Sequence, residues 1–217
     1  QRQMCIRDSE IVTEEVNQVK IPDWVFKGYG LPVESRNFSY VDMLNKEGLL
    51  VDHWRKGSSV PDISRQETQL WFYYLACSYI NVGCEAFHLG QIELIGMNDP
   101  ERDSWARVIA KIREYARTHA RRHWVLLDAH TPYGGMVRNG VSLLDFNSFP
   151  LRIKEIPSEP YKAELAVNHL DALYKKSKGC ISPSGWKCEH LPYLVEFDNY
   201  GRGKEANVAD LNSHFVS

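Results

Sequence analysis

Residues 61–130 alternate between amphipathic helical segments and short apolar runs, and this alternation restricts the folds open to the chain. The apolar stretch TQLWFYYLACSYINVG ends at Gly83, and glycine favours the end of a helix. After Pro100, apolar residues recur at the spacing of one buried helix face. This face consists of Trp105, Val108, Ile109, Ile112, Tyr115 and Ala116. The sequence therefore predicts helices over 65–82 and 100–119.

Two short motifs predict where these helices begin. Ser64 and Glu67 have the spacing of a capping box, in which a hydroxyl and a carboxylate bind the first unpaired amides of a helix. Asp99 is predicted to cap the second helix, with Pro100 at its first position. Both motifs support the helices that the apolar spacing indicates.

Four apolar runs predict the strands of a sheet. They lie near residues 85–89, 124–129, 141–146 and 193–197. Near-continuous apolar strands that alternate with amphipathic helices are typical of a parallel sheet covered by helices. The expected fold class is therefore α/β, with all four strands parallel.

Two α/β arrangements are considered, an open doubly wound sheet and a (β/α)8 (TIM) barrel. A nucleotide-binding open sheet requires a glycine-rich turn between strand and helix, whereas PYGGMVRNG precedes a strand. The long segments at 130–140 and 147–192 favour a barrel whose loops build a site. A complete barrel takes about 250 residues, so the sequence predicts a truncated (β/α)8 barrel.

The first nine residues are interpreted separately from the domain. The hexapeptide MCIRDS matches the read-through translation of a transposon-end sequencing adapter, so residues 1–9 are predicted to be an artefact outside the core. Residues 10–217 are predicted to form a partial TIM-barrel domain, a metagenomic fragment of a longer protein. This expectation leaves the cellular compartment open.

Composition restricts the classes of partner. The chain has 217 residues, a formal net charge of −2 and 25% charged residues, so it lacks the basic excess that binds nucleic acid or anionic membranes. None of its apolar runs approaches the roughly 20 residues that span a bilayer. Neither nucleic acid nor a membrane is expected as a partner.

Cys180 and Cys188 flank one loop of the C-terminal region. Two interpretations stay open for this pair. The cysteines form a disulfide if the protein is secreted, or they are buried free thiols.

Polar residues cluster where the apolar runs end. Three runs end in two polar residues spaced two apart: Asp128 and His130, Asp145 and Asn147, Glu196 and Asp198. Residues two apart in a strand point to the same face. In a barrel, these pairs would surround the mouth, where active sites lie.

The run EAFHLG contributes further polar residues. Gln91 and Glu93 follow Gly90, where the strand is expected to end, and are predicted to bind substrate. His88 is interpreted as a core histidine paired with a backbone carbonyl. Trp186 lies in a turn-rich loop, where it either stacks on a sugar ring or covers the core.

A metal-free pair of carboxylates is the simplest chemistry that these residues offer. Such pairs break glycosidic bonds, because one acid protonates the leaving oxygen while the other attacks or activates water. Two alternatives stay open. One is a metal-dependent hydrolase that uses Asp128, His130, Glu196 and Asp198. The other is a non-catalytic barrel that binds carbohydrate through Trp186.

The order of strand-end carboxylates resembles that of (β/α)8-barrel glycoside hydrolases, over roughly residues 60–200 and at the level of architecture. In the large retaining group of that fold, the acid/base follows the fourth strand and the nucleophile follows the seventh. The sequence DAH stands where that group carries an Asn-Glu pair. The resemblance implies a hydrolase acting on a carbohydrate without a cofactor, with Glu196 as nucleophile or base and Asp128 as general acid. Substrate is then bound or oriented by Asp198, His130, Asp145, Asn147, Gln91, Glu93 and Trp186.

Overall fold

The computed structural model describes residues 3–5, 10–151, 153–155, 158–159, 162–165 and 178–197. Within these ranges the helices are α1 (Thr13–Val16), α2 (Asp23–Tyr29), α3 (Tyr40–Met43), α4 (Gln66–Asn81), α5 (Ile92–Ile95) and α6 (Asp103–His119). The strands are β1 (Gln3–Cys5), β2 (Ile11–Val12), β3 (Ser58–Ser59), β4 (Ala86–His88), β5 (Leu126–Asp128), β6 (Val137–Arg138), β7 (Val141–Ser142), β8 (Asn147–Leu151), β9 (Ile153–Glu155), β10 (Ala163–Leu165), β11 (Cys180–Ile181), β12 (Lys187–Cys188) and β13 (Tyr193–Phe197).

Parallel pairing organises the centre of the molecule. Strands β1, β4 and β5 form a three-stranded parallel sheet in that order, and His88 is the register partner of Asp128. One parallel bridge between His130 and Ser148 links the end of β5 to β8, which pairs in parallel with β13. The carboxyl ends of β4 and β5 therefore lie beside the beginning of β8.

The remaining strands form smaller sheets. The strand order β12-β11-β7-β6 makes a four-stranded sheet, in which only β11 and β7 run parallel. Two antiparallel pairs, β2 with β3 and β9 with β10, complete the set among the described residues. None of the described helices combines the length and apolarity that crossing a lipid bilayer requires.

The predicted truncated (β/α)8 barrel is wrong. The sheets within the described residues have two to four strands and none of them closes, so the fold is mixed α/β. A barrel requires a helix between successive parallel strands, but the chain between β5 and β8 forms the antiparallel hairpin β6–β7. The hairpin turns at Asn139 and Gly140, whose φ angles of 51° and 76° are those of a type I′ turn.

The same turn accounts for the strand that was placed incorrectly. Val141–Ser142 belongs to the antiparallel hairpin, so the parallel strand predicted over 141–146 is wrong, and the parallel strand begins at Asn147. The other predicted strands are confirmed as β4, β5 and β13, and the two helices as α4 and α6.

The predicted capping box is absent. Helix α4 begins without a side-chain cap, because the Glu67 carboxylate binds Arg36 instead, at 2.7 and 2.9 Å. Helix α6 begins at Asp103, later than Pro100, and Asp99 still accepts hydrogen bonds from the Ser104 and Trp105 amides at 3.0 Å. Asp99 therefore satisfies the amides of α6 from outside the helix.

One face of the central sheet is covered by helices. Phe87 and Leu127 are fully buried, and the Phe87 ring lies 6.3 Å from that of Tyr79 on α4. Helices α4 and α6 pack together through an edge-on contact of Phe72 with Trp105, whose rings are 5.1 Å apart. The buried residues predicted for α6 are confirmed, with Tyr115 partly buried.

The opposite face of the sheet has a different composition. Alternation along the strands places His88, Asp128 and the 38% exposed Leu126 on that side.

The backbone of β1 forms the edge of this sheet, beside β4. The interpretation of residues 1–9 as adapter sequence stays a prediction, and Ile6 lies outside the described residues.

A buried carboxylate connects the loops before α4 to the loop between α5 and α6. Asp62 is fully buried and accepts hydrogen bonds from the side chains of Asn45 and Asn98, at 3.0 and 2.9 Å, and from the Ser64 amide at 2.9 Å. One carboxylate thus satisfies three donors from three segments, which holds those segments together.

We expect Asp62→Ala to lower the free energy of unfolding by about 2 kcal/mol, because the buried Asn45 amide and two partly buried donors lose their acceptor. Urea denaturation followed by circular dichroism measures this change. The control is Glu47→Ala, an exposed carboxylate of the same region, for which we expect a change within about 0.5 kcal/mol. Equal stability of the two variants would contradict the structural role of Asp62.

Candidate functional site

A buried carboxylate lies at the carboxyl end of β5. Asp128 is 1% exposed, and its Oδ2 atom accepts hydrogen bonds from His88 Nδ1, at 3.2 Å, and from the Ser148 hydroxyl. The His130 ring contacts the His88 ring edge-on, with centroids 4.6 Å apart. We call His88, Asp128, His130 and Ser148 the Asp128 cluster.

Strand register explains why these four residues meet. His88 and Asp128 are partners in the β4–β5 ladder, and His130 and Ser148 are partners across the bridge to β8. The amide of Leu89 donates to the Asp128 carbonyl at 2.8 Å, which continues the ladder past β4. Carboxyl ends of parallel strands are where open α/β sheets bind ligands.

The contact with Asp128 determines the tautomer of His88. A carboxylate only accepts hydrogen bonds, so the Nδ1 atom of His88 must carry the hydrogen. In a neutral imidazole, Nε2 is then the basic nitrogen, and it becomes a donor when the ring gains a proton. The His88–Asp128 pair can therefore accept and donate protons.

The Asp128 cluster contains the residue types of a serine hydrolase triad but not its connections. In a triad, the serine hydroxyl contacts Nε2 of a histidine whose Nδ1 binds the aspartate. Here the fully buried Ser148 hydroxyl binds the Asp128 carboxylate directly, and it lies 3.4 Å from His88 Nδ1. This geometry supports a positioning role for Ser148 rather than nucleophilic attack.

Asp145 lies in a different environment from Asp128. Its Oδ2 atom accepts hydrogen bonds from Arg113 on α6 at 3.0 Å and from the Leu127 amide at 2.8 Å. The ion pair is largely enclosed, with side-chain exposures of 13% for Arg113 and 10% for Asp145. Asp145 therefore ties α6 to the strand, and the structure does not bring it into the Asp128 cluster.

The side chains of Asn147, which precedes Ser148 on β8, and Thr131, which follows His130, are fully buried and have no hydrogen-bond partner among the described residues. The Asn147 amide has no hydrogen bond at either Oδ1 or Nδ2, and Thr131 has none at its hydroxyl. A Cβ atom at Gly135 would lie 3.3 Å from Asn147 Oδ1, so the 131–136 loop approaches the amide closely. Buried polar groups are nearly always hydrogen-bonded, and an ordered water or a ligand can supply the partner.

The remaining predicted substrate residues lie at separate positions. Gln91 immediately precedes α5, and Glu93 on that helix accepts a hydrogen bond from the Tyr133 amide at 3.4 Å. Burial raises the pKa of Glu93, while Tyr133, Arg102 and Lys178 partly offset the shift. Trp186 is 74% exposed, so it does not cover the core as one interpretation held.

The structure describes the backbone of Glu196 but not its side chain, and Asp198 lies outside the described residues. Glu196 pairs with Pro150, two positions beyond Ser148, and His130 is two positions beyond Asp128. Along the strand direction, the Glu196 backbone is therefore four positions beyond that of Asp128, or about 13 Å.

Sequence reasoning missed two residues of the Asp128 cluster. His88 is buried as expected, and its Nδ1 atom contacts the Asp128 carboxylate, a partner that the sequence analysis did not foresee. Ser148 was not predicted at all. A signal for His88 exists, because it ends its apolar run as Asp128 does, and parallel strands align such positions.

Neither the comparison with known proteins nor the arrangement of potential metal ligands identifies a function for the described residues. Comparison of the chain with protein-family models, curated proteins and solved structures found no match. Within the described part of the chain, no group of three or more His, Cys, Asp or Glu residues is arranged to hold a metal ion. The Asp128 cluster is therefore the candidate site that the described residues offer.

The raised pKa of Glu93 predicts a pH-dependent stability. The folded protein keeps this proton to higher pH than the unfolded chain, so stability is lost as pH rises from about 4.3 through the folded pKa. We expect Glu93→Gln, which mimics the protonated form, to be more stable than the parent at pH 7 and similar near pH 4.

Urea denaturation at the two pH values measures this difference. The matched control is Glu101→Gln, which removes one negative charge from an exposed side chain nearby. A Glu93→Gln variant that is less stable than the parent at pH 7 would show that the Glu93 carboxylate is favourable in its charged form.

Proposed function

We propose that this protein is a carbohydrate-active enzyme that hydrolyses glycosidic bonds, with the His88–Asp128 pair as its acid–base group. The observation that carries the proposal is the 3.2 Å contact between a buried carboxylate and an imidazole at the carboxyl ends of β4 and β5. An imidazole held by a carboxylate is a common arrangement for moving protons in an active site.

Glycosidic hydrolysis requires a proton for the leaving oxygen and a second group that attacks or activates water. In the proposed reaction, the His88–Asp128 pair donates the proton. Glu196 is the proposed second carboxylate, carried on β13. Its backbone lies about 13 Å farther along the strands than that of Asp128. This offset is larger than the separation of about 5–5.5 Å in a pair that attacks the sugar directly, so we favour activation of water by Glu196.

Polar residues adjacent in sequence to the Asp128 cluster support a substrate rich in hydroxyls. An amide offers one acceptor and two donors, which complement adjacent hydroxyl groups of a sugar, and the Asn147 amide is buried and unpaired. The Thr131 hydroxyl offers a further donor. Trp186 presents an exposed aromatic face on which a sugar ring can stack.

The test compares two isosteric variants of neighbouring carboxylates. Asp128→Asn retains an oxygen that accepts from His88 and Ser148 but removes the charge, so we expect kcat on aryl glycosides to fall by about 100-fold or more. Initial-rate kinetics on a panel of aryl glycosides measures this loss, and thermal melting checks that the variant is folded.

Asp145→Asn is the matched control, because Asp145 is an enclosed carboxylate that pairs with Arg113 outside the Asp128 cluster. We expect it to lower the free energy of unfolding by about 2 kcal/mol and to leave kcat of the folded protein unchanged. Turnover by Asp128→Asn at the parent rate would overturn the proposal. Absence of both turnover and sugar binding in the parent chain would do so as well.

A further inference from the structure

Cys180 and Cys188 face each other across a hairpin in the C-terminal part of the chain. They are register partners in the antiparallel pair β11–β12, and their Sγ atoms are 3.8 Å apart. The Cys188 thiol also lies 3.3 Å from the Cys180 carbonyl oxygen, and both thiols are free in this structure. Two thiols in contact on opposite strands constitute a site for oxidation.

The backbone already has the spacing that a disulfide needs. Directly opposite residues of an antiparallel pair have Cα atoms about 4.5–5.5 Å apart, and disulfides span about 4.4–6.8 Å between Cα atoms. Side-chain rotation alone can bring the sulfur atoms from 3.8 Å to the bonded distance of about 2.05 Å. Neither strand has to move.

We propose that Cys180 and Cys188 form a reversible disulfide with a low-molecular-weight disulfide as oxidant. The Cys188 thiolate attacks the oxidant, forms a mixed disulfide and releases one thiolate. The Cys180 thiol loses its proton and attacks the Cys188 sulfur, which expels the second thiolate. Two protein thiols are oxidised, and one small disulfide is reduced to two thiols.

The surroundings of the two cysteines determine the order of these steps. Cys188 is partly exposed, whereas Cys180 is buried. Burial and the adjacent Cys188 thiol raise the pKa of Cys180 to about 11. Because the thiolate is the attacking form, the oxidant reacts first at Cys188, and Cys180 then resolves the mixed disulfide.

Two cysteines of the hydrophobic core provide an internal comparison. Cys77 and Cys84 both belong to the hydrophobic core, with exposures of 0% and 5%. Burial also raises the pKa of Cys77 to about 12. Both residues should therefore remain reduced while the protein is folded.

The disulfide would hold the hairpin that carries Trp186. The turn is closed by hydrogen bonds between Ser182 and Trp186, at 2.7 and 3.0 Å, and β11 is anchored to the Gly140 carbonyl through the Ile181 amide at 2.8 Å. A covalent bond between β11 and β12 would fix the base of this turn. The proposal does not depend on the activity proposed above.

The experiment exposes the full chain to mixtures of oxidised and reduced glutathione, followed by alkylation, proteolysis and mass spectrometry. We expect a loss of two hydrogens per chain and one linked peptide pair that contains Cys180 and Cys188. We also expect the melting temperature to rise by a few degrees on oxidation and to return after reduction.

Cys188→Ser and Cys84→Ser are the paired variants. Cys84→Ser should still form the link. In Cys188→Ser, Cys180 should remain open to alkylation, and the melting temperature of this variant should not depend on the glutathione ratio. A stable mixed disulfide at Cys188 that Cys180 never resolves would overturn the proposal. Links that involve Cys77 or Cys84 in the folded parent would also overturn it.

Discussion

The parallel pairing of β4 with β5 is the constraint on which the rest of the structure depends. The register of this pairing makes His88 the direct partner of Asp128. It also places the buried Phe87 and Leu127 together on the opposite side of the strands. Helices α4 and α6 cover that apolar side. The other side of the two strands carries the buried His88–Asp128 pair.

Three enclosed carboxylates have different partners. These partners indicate which carboxylates have a structural role and which one can take part in proton transfer. Asp62 binds two asparagine amides, and Asp145 binds Arg113. Neither an amide nor a guanidinium changes charge near neutral pH. Asp128 binds His88, and imidazole is the side chain that ordinarily gains and loses protons in that range. Among these three carboxylates, only Asp128 therefore has a partner suited to acid–base chemistry.

The hairpin β6–β7 joins two distant parts of the chain. Its turn at Asn139 and Gly140 reverses the backbone, so that Val141 becomes the register partner of Ile181. This contact places the Cys180–Cys188 hairpin, with Trp186 at its turn, beside the segment that follows β5. A two-residue turn thus both prevents a repeating barrel unit and creates a second sheet.

The sequence by itself determined the elements whose signal is local. The apolar spacing of α6, the end of α4 near Gly83 and the strand runs at β4 and β5 could all be predicted, because each depends on neighbouring residues. The Asn139–Gly140 turn was also readable, since that dipeptide favours a hairpin. The barrel prediction did not take this turn into account.

Tertiary structure alone decided which polar residues share a site. Asp128 and Asp145 each follow an apolar run and look equivalent in sequence, yet one meets His88 and the other meets Arg113. The difference arises from strand register and helix packing, which join residues 40 and 32 positions apart. Such contacts depend on the free energy of the whole fold, because no local pattern encodes which distant partner a carboxylate will reach.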